Sequence, residues 1–368
     1  MGLSGKAKGG KSVIVRKCCL DEPQKILVRA TNWLGDAVMS LPALEALRSR
    51  FPEAEIVVLS KPWVSELYWR HPAVNRQIVY DPAAEHRGAR GFWKLVQQLR
   101  AEHFDAAILL QNAFHAAWMA WLARIPVRIG YGSDGRSGLL TDAIQPPPPE
   151  VYGHQAYYYL ELLFRAGLIE KPKTLTEICV RLERTEETWA GKHLDALGLR
   201  GPRFLVGLNP GASYGPAKRW LPERFADLAD RFIGALHADV LIFGSREERP
   251  LAETIASEME HTPLILAGET TLRQFMALLA RCRLVVTNDS GPMHLTAALG
   301  VPLVAIFGST DERTTGPLSP RARLVSQHVS CSPCGLRECP IDFRCMTRIS
   351  VAEVYRVALE LVKEVSAK

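Results

Sequence analysis

From Lys25 onward the chain alternates short apolar runs with amphipathic stretches, and it does so twice. KILVRA (25–30) reads as a strand, and Asp36 to Arg50 as a helix with Val38, Leu41, Leu44 and Leu47 along one stripe. AEIVVLS (54–60) is a second strand; DAAILLQN (105–112), after the helix GFWKLVQQLRAEH, is another. Strands that alternate with helices predict a parallel sheet covered on both faces. A proline tract near 145–150 reads as a rigid surface loop, followed by the helical HQAYYYLELLFRAGL; the composition then turns polar between Ala166 and Pro202, with one helix at 186–197. The second alternation runs RFLVGLNPG, LPERFADLADRFIGAL, ADVLIFGS, a helix at 250–259, LILAG, a helix at 271–281, RLVVTND, a helix at 292–299, and VPLVAIFG.

At 368 residues the chain is too long for one core. The pattern therefore predicts an α/β protein made of two Rossmann-like domains facing a central cleft. The expected boundaries are a disordered extension at 1–24, a first domain at 25–185, a second at 186–348, and a C-terminal helix at 349–368. In open α/β sheets ligands bind outside the carboxyl ends of the strands, where the loops at 31–36, 209–220 and 287–300 all fall.

Several function classes recede on composition. The most apolar stretch, Ala106 to Ile125, is interrupted by Gln111, Asn112, His115 and Arg124, whereas a spanning helix needs about 20 mostly apolar residues. The first twenty residues are basic but have no sustained apolar core, so they do not read as a secretory signal. Eight cysteines without such a signal suggest reduced thiols in the cytoplasm. The formal charge of +6 leans toward anionic partners but is spread along the chain, which argues against nucleic acid.

Three loops carry chemistry. The first is Thr31-Asn32-Trp33-Leu34-Gly35-Asp36, where Gly35 allows a tight turn. Asp36 has two readings: a helix N-cap, or a general base at the mouth of the first domain. The second is Asn209 to Trp220, which joins two glycines, the hydroxyl of Ser213 and the pair Lys218-Arg219 just before a helix. Backbone amides and a lysine in that setting suit phosphate, although GxxxxGK[ST] is absent. The third is Thr287 to Gly300, where a strand runs through Asp289, Ser290 and Gly291 into a helix carrying His294; its amides form an anion site by geometry.

Metal is addressed by two patterns. No Asp-x-Asp triplet occurs, so neutralisation of a diphosphate by Lys218, Arg219 and a helix terminus is favoured over a divalent cation. Cys331, Cys334, Cys339 and Cys345 have one zinc-knuckle half, CSPC, and an unmatched second half, leaving reduced thiols, a redox pair or a structural metal open.

NWLGDAVMSLPAL, LNPGASYGPAKRW, TNDSGPMHLTAALGVPLVAIFGST and CSPCGLRECPIDFRCM, in that order, resemble the ADP-heptose:lipopolysaccharide heptosyltransferases of glycosyltransferase family 9, from Lys25 to about Val362. The resemblance implies a GT-B architecture with the acceptor mainly on the first domain and ADP-heptose on the second, and a final helix, Val351 to Val365, that crosses back to the first. It implies Asp36 as the catalytic aspartate, Lys218 at the donor phosphates, and Asp289, Ser290, Gly291 and His294 in the donor site. Glu248 falls near a carboxylate that contacts the adenosine ribose, with Glu247 close by; Ser213 and Arg219 join the donor loop. Asn32, Arg128 and Arg136 are assigned to the acceptor side. No cofactor is implied. The expected chemistry is inverting heptose transfer to the first heptose of the lipopolysaccharide inner core, by an enzyme that is cytoplasmic and peripheral at the inner membrane. An earlier step in the same family, a sugar-nucleotide 2-epimerase and a zinc-stabilised nucleic-acid-binding protein are the alternatives.

Overall fold

The computed structural model describes residues 20–367. The first sheet comprises β1 (Lys25–Arg29), β2 (Glu55–Ser60), β3 (Arg76–Val79), β4 (Ala106–Leu109), β5 (Val127–Tyr131) and β6 (Asp142–Ile144), in the order β3-β2-β1-β4-β5-β6. The second comprises β7 (Leu205–Asn209), β8 (Asp239–Ile242), β9 (Leu264–Ile265), β10 (Leu284–Asn288), β11 (Leu303–Phe307) and β12 (Ala322–Ser326), in the order β12-β11-β10-β7-β8-β9. All pairings are parallel; Ile26 faces both Ile56 and Ala106, and Val206 faces both Val240 and Leu284. Read from opposite edges, the two sheets have the same doubly wound topology. Their chain order reverses between β1 and β4 and between β7 and β10, the positions where such sheets open a crevice. β7, β10 and β11 are buried along their whole length, as strands covered on both faces must be.

The helices of six residues or more are α1 (Leu34–Met39), α2 (Leu41–Arg50), α3 (Gly88–Ala101), α4 (Phe114–Leu122), α5 (Gln155–Arg165), α6 (Arg184–Ala196), α7 (Pro222–Leu236), α8 (Arg249–Glu258), α9 (Leu272–Leu279), α10 (Gly291–Ala298) and α11 (Val351–Ser366). α7 shows the logic of a covering helix. Pro222 opens it, Phe225, Leu228, Ala229 and Phe232 form its buried stripe, and His237 closes it in the left-handed region. Full burial of each phenylalanine contributes about 1.5–3 kcal/mol.

Besides adding strands β3, β5, β6 and β12, the structure departs from the expected elements in three places. The single helix expected from Asp36 to Arg50 is two, α1 and α2, divided at Ser40. Pro42 has no N–H for a continuous ladder and instead occupies the first turn of α2. The expected extension at 1–24 is shortened from its C-terminal side: residues 1–19 lie outside the described residues, but Leu20 is buried in the first core, and the amides of Gln24 and Lys25 both donate to the Asp105 carboxylate, at 2.7 and 2.8 Å. The final helix does not have its main packing on the first domain. The stripe Val351, Val354, Ala358 and Leu361 on α11 is buried against α7, β11 and β12 of the second domain, because those elements present the matching apolar surface.

The connection between domains is made earlier in the chain. α5 packs on α1 and α2 of the first domain, and α6 on α9 of the second. The buried Arg273 on α9 binds Glu186 of α6 through Nε and Nη2, at 2.6 and 2.5 Å, while its backbone N–H donates to Glu66 of the first domain at 2.8 Å.

Candidate active site

Asp36 is the third residue of α1, and Trp33 occupies the N-cap position. Its carboxylate caps no helix; the hydrogen bond it accepts comes from the Tyr159 hydroxyl on α5, 3.0 Å from Oδ1. The N-cap reading of Asp36 is therefore replaced by a carboxylate held from the side. Burial raises its proton affinity above the usual carboxylate range, opposed by the Tyr159 bond and by the charge of Lys218 from the other domain. Such a carboxylate is a stronger base than an exposed one.

The loop after β7 is pinned at both ends by Asn288 at the end of β10. Its Nδ2 donates to Pro210 O at 2.7 Å, and its Oδ1 accepts from Trp220 N at 3.0 Å. Trp220 is buried and donates its indole N–H to Ile349 O at 3.1 Å. Between these anchors Lys218 lies 2.5 Å from Asp289 Oδ2 and 4.8 Å from the centre of the Tyr214 ring. Thr310 donates to the same carboxylate oxygen at 2.5 Å. An ammonium has three donors, so Asp289 orients Lys218 without exhausting it. Glu248, rather than the exposed Glu247, turns toward this loop: it accepts from Ser245 N at 2.9 Å and lies where a Cβ on Gly211 would come within 2.1 Å of it.

The two domains touch where their motifs begin. A Cβ at Gly35 would lie 3.0 Å from His294 Cδ2, and one at Gly291 would lie 2.8 Å from Leu34 Cβ and 3.2 Å from Gly35 N. The N-terminal ends of α1 and α10 thus meet backbone to backbone, which only glycine permits at this distance. His294 is buried in that contact, and desolvation lowers its pKa to about 4, so it is neutral near pH 7. Ser290 precedes α10 and makes no capping bond to it. Asp36, Lys218, Asp289, Ser290, Gly291 and His294 therefore gather around one seam, with Glu248 on its second-domain side.

Other expected site residues are placed differently. Ser213 is exposed, and Arg219 donates to Ala212 O at 3.3 Å within its own loop. Asn32 accepts from Arg29 at 2.9 Å through its side chain and from Trp63 Nε1 at 2.6 Å through its carbonyl, close to Asp36 along the chain. The acceptor assignment of Arg128 does not hold: it lies toward the start of β5, away from the strand's carboxyl end, and binds the carbonyls of Leu139, Ile125 and Pro126. Arg136 lies at the cleft end of β5 but is fully buried, with its guanidinium on Tyr131 O, Gln111 O and Asn112 Oδ1, so it supports the loops and has no exposed surface for a ligand. Among the described residues Cys331, Cys334, Cys339 and Cys345 are unpaired, and no three His, Cys, Asp or Glu side chains converge in a metal-binding arrangement.

Sequence reasoning missed Tyr159, Thr310 and Lys61. Tyr159 is 123 residues from its partner, and only the packing of α5 on α1 joins them. Lys61, buried at the end of β2, lies 3.8 Å from the centre of the Tyr80 ring; burial and then Arg29 lower its pKa to about 8. Tyr159→Phe removes the bond that favours ionised Asp36. Its acid limb of kcat/KM against pH is expected to move to higher pH, since a base with greater proton affinity needs a higher pH to be free. An unmoved limb would separate that limb from Asp36.

The family model described as glycosyltransferase family 9 (heptosyltransferase) matches residues 92–343. Lipopolysaccharide heptosyltransferase 2 of Salmonella typhimurium is 35% identical over 310 residues, covering 82% of this chain and 87% of that protein. The Escherichia coli K12 protein of the same name is 34% identical over 312 residues, with the same coverage. The solved structure of E. coli ADP-heptose LPS heptosyltransferase II superposes with a TM-score of 0.80 at 31% identity, over 93% of this chain and 99% of that one. A family 9 glycosyltransferase structure from Veillonella parvula gives 0.85 at 25% identity, over 95% and 100%. The shared two-domain GT-B architecture and the extent of these matches make this chain a glycosyltransferase that belongs to family 9, the heptosyltransferases.

Proposed function

We propose that this enzyme transfers L-glycero-D-manno-heptose from ADP-heptose to the first heptose of the lipopolysaccharide inner core, with inversion, as a heptosyltransferase II. The observation that carries the reading is the seam where α1, bearing Asp36, meets α10 of the second domain beside the Lys218–Asp289 pair, which brings the lysine's charge to bear on the carboxyl. The acceptor hydroxyl oxygen forms a bond to the anomeric carbon of the donor while the bond from that carbon to the phosphate oxygen breaks. Asp36 takes the hydroxyl proton, and ADP leaves with the electron pair. Lys218 and the N-terminal end of α10 stabilise the charge that grows on the diphosphate. Glu248 takes the adenosine ribose, Ser213 and Arg219 line the donor loop, and Asn32 meets the acceptor. Because the acceptor is a glycolipid, the enzyme works at the cytoplasmic face of the inner membrane.

The test is ADP release from ADP-heptose with deacylated inner-core acceptors carrying zero or one heptose. Release with the one-heptose acceptor alone is expected. Preference for the acceptor without heptose would assign the preceding step, and conversion of ADP-heptose with no acceptor present would remove the transferase reading of this site.

A further inference from the structure

Six of the eight tryptophans are exposed, and all six lie in the first domain; Trp220 of the second domain is fully buried. Four large aromatics cluster on α3 and α4: Trp93, Phe114, Trp118 and Trp121 each leave 39–48% of their surface open. Phe114, Trp118 and Trp121 have the 4 and 3 spacing of one helix face, while Ala116, Ala117, Met119 and Ala120 fill the buried side of α4. Phe92 on α3 stacks on Trp118, with ring centres 5.0 Å apart, and the two helices enclose a groove of about 560 Å³ floored by Tyr80, Phe92, His115 and Leu122. Soluble monomers rarely leave so much contiguous apolar surface open without a use for it.

Apart from Asp81 at the groove edge and Glu85, which Lys94 engages, the charges around this face are basic. No acidic residue occurs from Arg87 to Ala101 or from Phe114 to Arg124. Arg87, Arg90 and Arg124 are exposed, and among the described residues none has an acidic partner within ion-pair distance; Lys94 is paired, with Glu85 at 2.8 Å. α3 and α4 both start from the carboxyl ends of their strands, the rim on which Asp36 sits. Exposed Trp33 and Trp63 continue the aromatic surface toward that rim, where Trp63 is tied to Asn32.

We infer that the aromatic and basic face of α3 and α4 docks the enzyme on a bilayer containing anionic lipid, with the tryptophans at headgroup depth. Tryptophan is suited to the boundary between water and acyl chains, and arginines beside it meet lipid phosphates. A second copy of this chain is disfavoured as the occupant, because a twofold pairing would bring Arg87, Arg90 and Arg124 together while the neighbouring Glu85 is already engaged by Lys94. The inference rests on the proposed glycolipid acceptor and adds where the enzyme meets its membrane. It places the open end of the first-domain cleft beside the surface that holds the acceptor.

The experiment is flotation of the full chain, without donor or acceptor, with vesicles of phosphatidylethanolamine and phosphatidylglycerol at 3:1 and with pure phosphatidylcholine. Wild type is expected to float with the anionic vesicles, more weakly with phosphatidylcholine, and to be released by salt. W118S/W121S is expected to lose at least about tenfold in binding while turning over a soluble deacylated acceptor normally. R90Q/R124Q is expected to lose roughly 25-fold, about fivefold per charge, on anionic vesicles only. If W118S/W121S also loses soluble turnover, R90Q/R124Q decides. Unchanged vesicle binding by R90Q/R124Q, no flotation of wild type, or a dimer that W118S/W121S dissolves would each overturn the inference. Failure of heptose transfer with intact vesicle binding would count against the proposed reaction and leave this surface standing.

Discussion

Asp36→Asn is expected to lower kcat by roughly 10²–10⁴-fold, the usual contribution of a general base, while ADP affinity stays near that of wild type. The substitution is close to isosteric, so the Tyr159 hydroxyl can still donate to the retained side-chain oxygen and α1 keeps its packing. What is lost is the ability to accept a proton from the acceptor hydroxyl as its bond to the anomeric carbon forms. ADP affinity is read by calorimetry and kcat from ADP release at saturating donor and acceptor. Full turnover in Asp36→Asn would remove the base from the mechanism. Loss of ADP affinity would instead indicate that the variant has disturbed the seam between the domains.

Lys218→Ala is expected to reduce kcat/KM by about 10²–10³-fold, the range for removing one preorganised group from a developing anion. Here the effect includes weaker binding of the donor itself, because the diphosphate is already charged in the ground state. The variant also leaves Asp289, a buried carboxylate, with Thr310 as its remaining side-chain hydrogen-bond partner among the described residues. A second consequence separates this residue from a purely structural one. Lys218 lowers the proton affinity of Asp36, so its removal is expected to move the acid limb to higher pH, in the same direction as Tyr159→Phe. Unchanged donor affinity and an unmoved acid limb together would exclude Lys218 from the diphosphate site.

Much of the architecture was legible because strands covered on both faces read as plain apolar runs, as β7, β10 and β11 do. The short outer strands were not. β3 (RQIV) and β6 (DAI) have too few apolar residues to stand out from the loops around them. The resemblance placed the final helix on the first domain, whereas the stripe on α11 finds its apolar partners in α7, β11 and β12. Asp36, Lys218 and Asp289 could be found because each lies where the chain passes from a strand into the helix that follows it, in a segment with its own local signature. Tyr159 could not, since nothing in YYYLELLF distinguishes the tyrosine that reaches α1 from its two neighbours. Arg128 and Arg136 show the converse limit: an arginine bonded to carbonyls and one waiting for an anion are spelled alike.

The backbone seam at Gly35 and Gly291 bears on the proposed base. Asp36 and Lys218 belong to separate domains, and the lysine's influence on the carboxyl depends on their apposition. The proton affinity of that base is therefore set by residues of both domains at once, Tyr159 from its own side and Lys218 from across the seam.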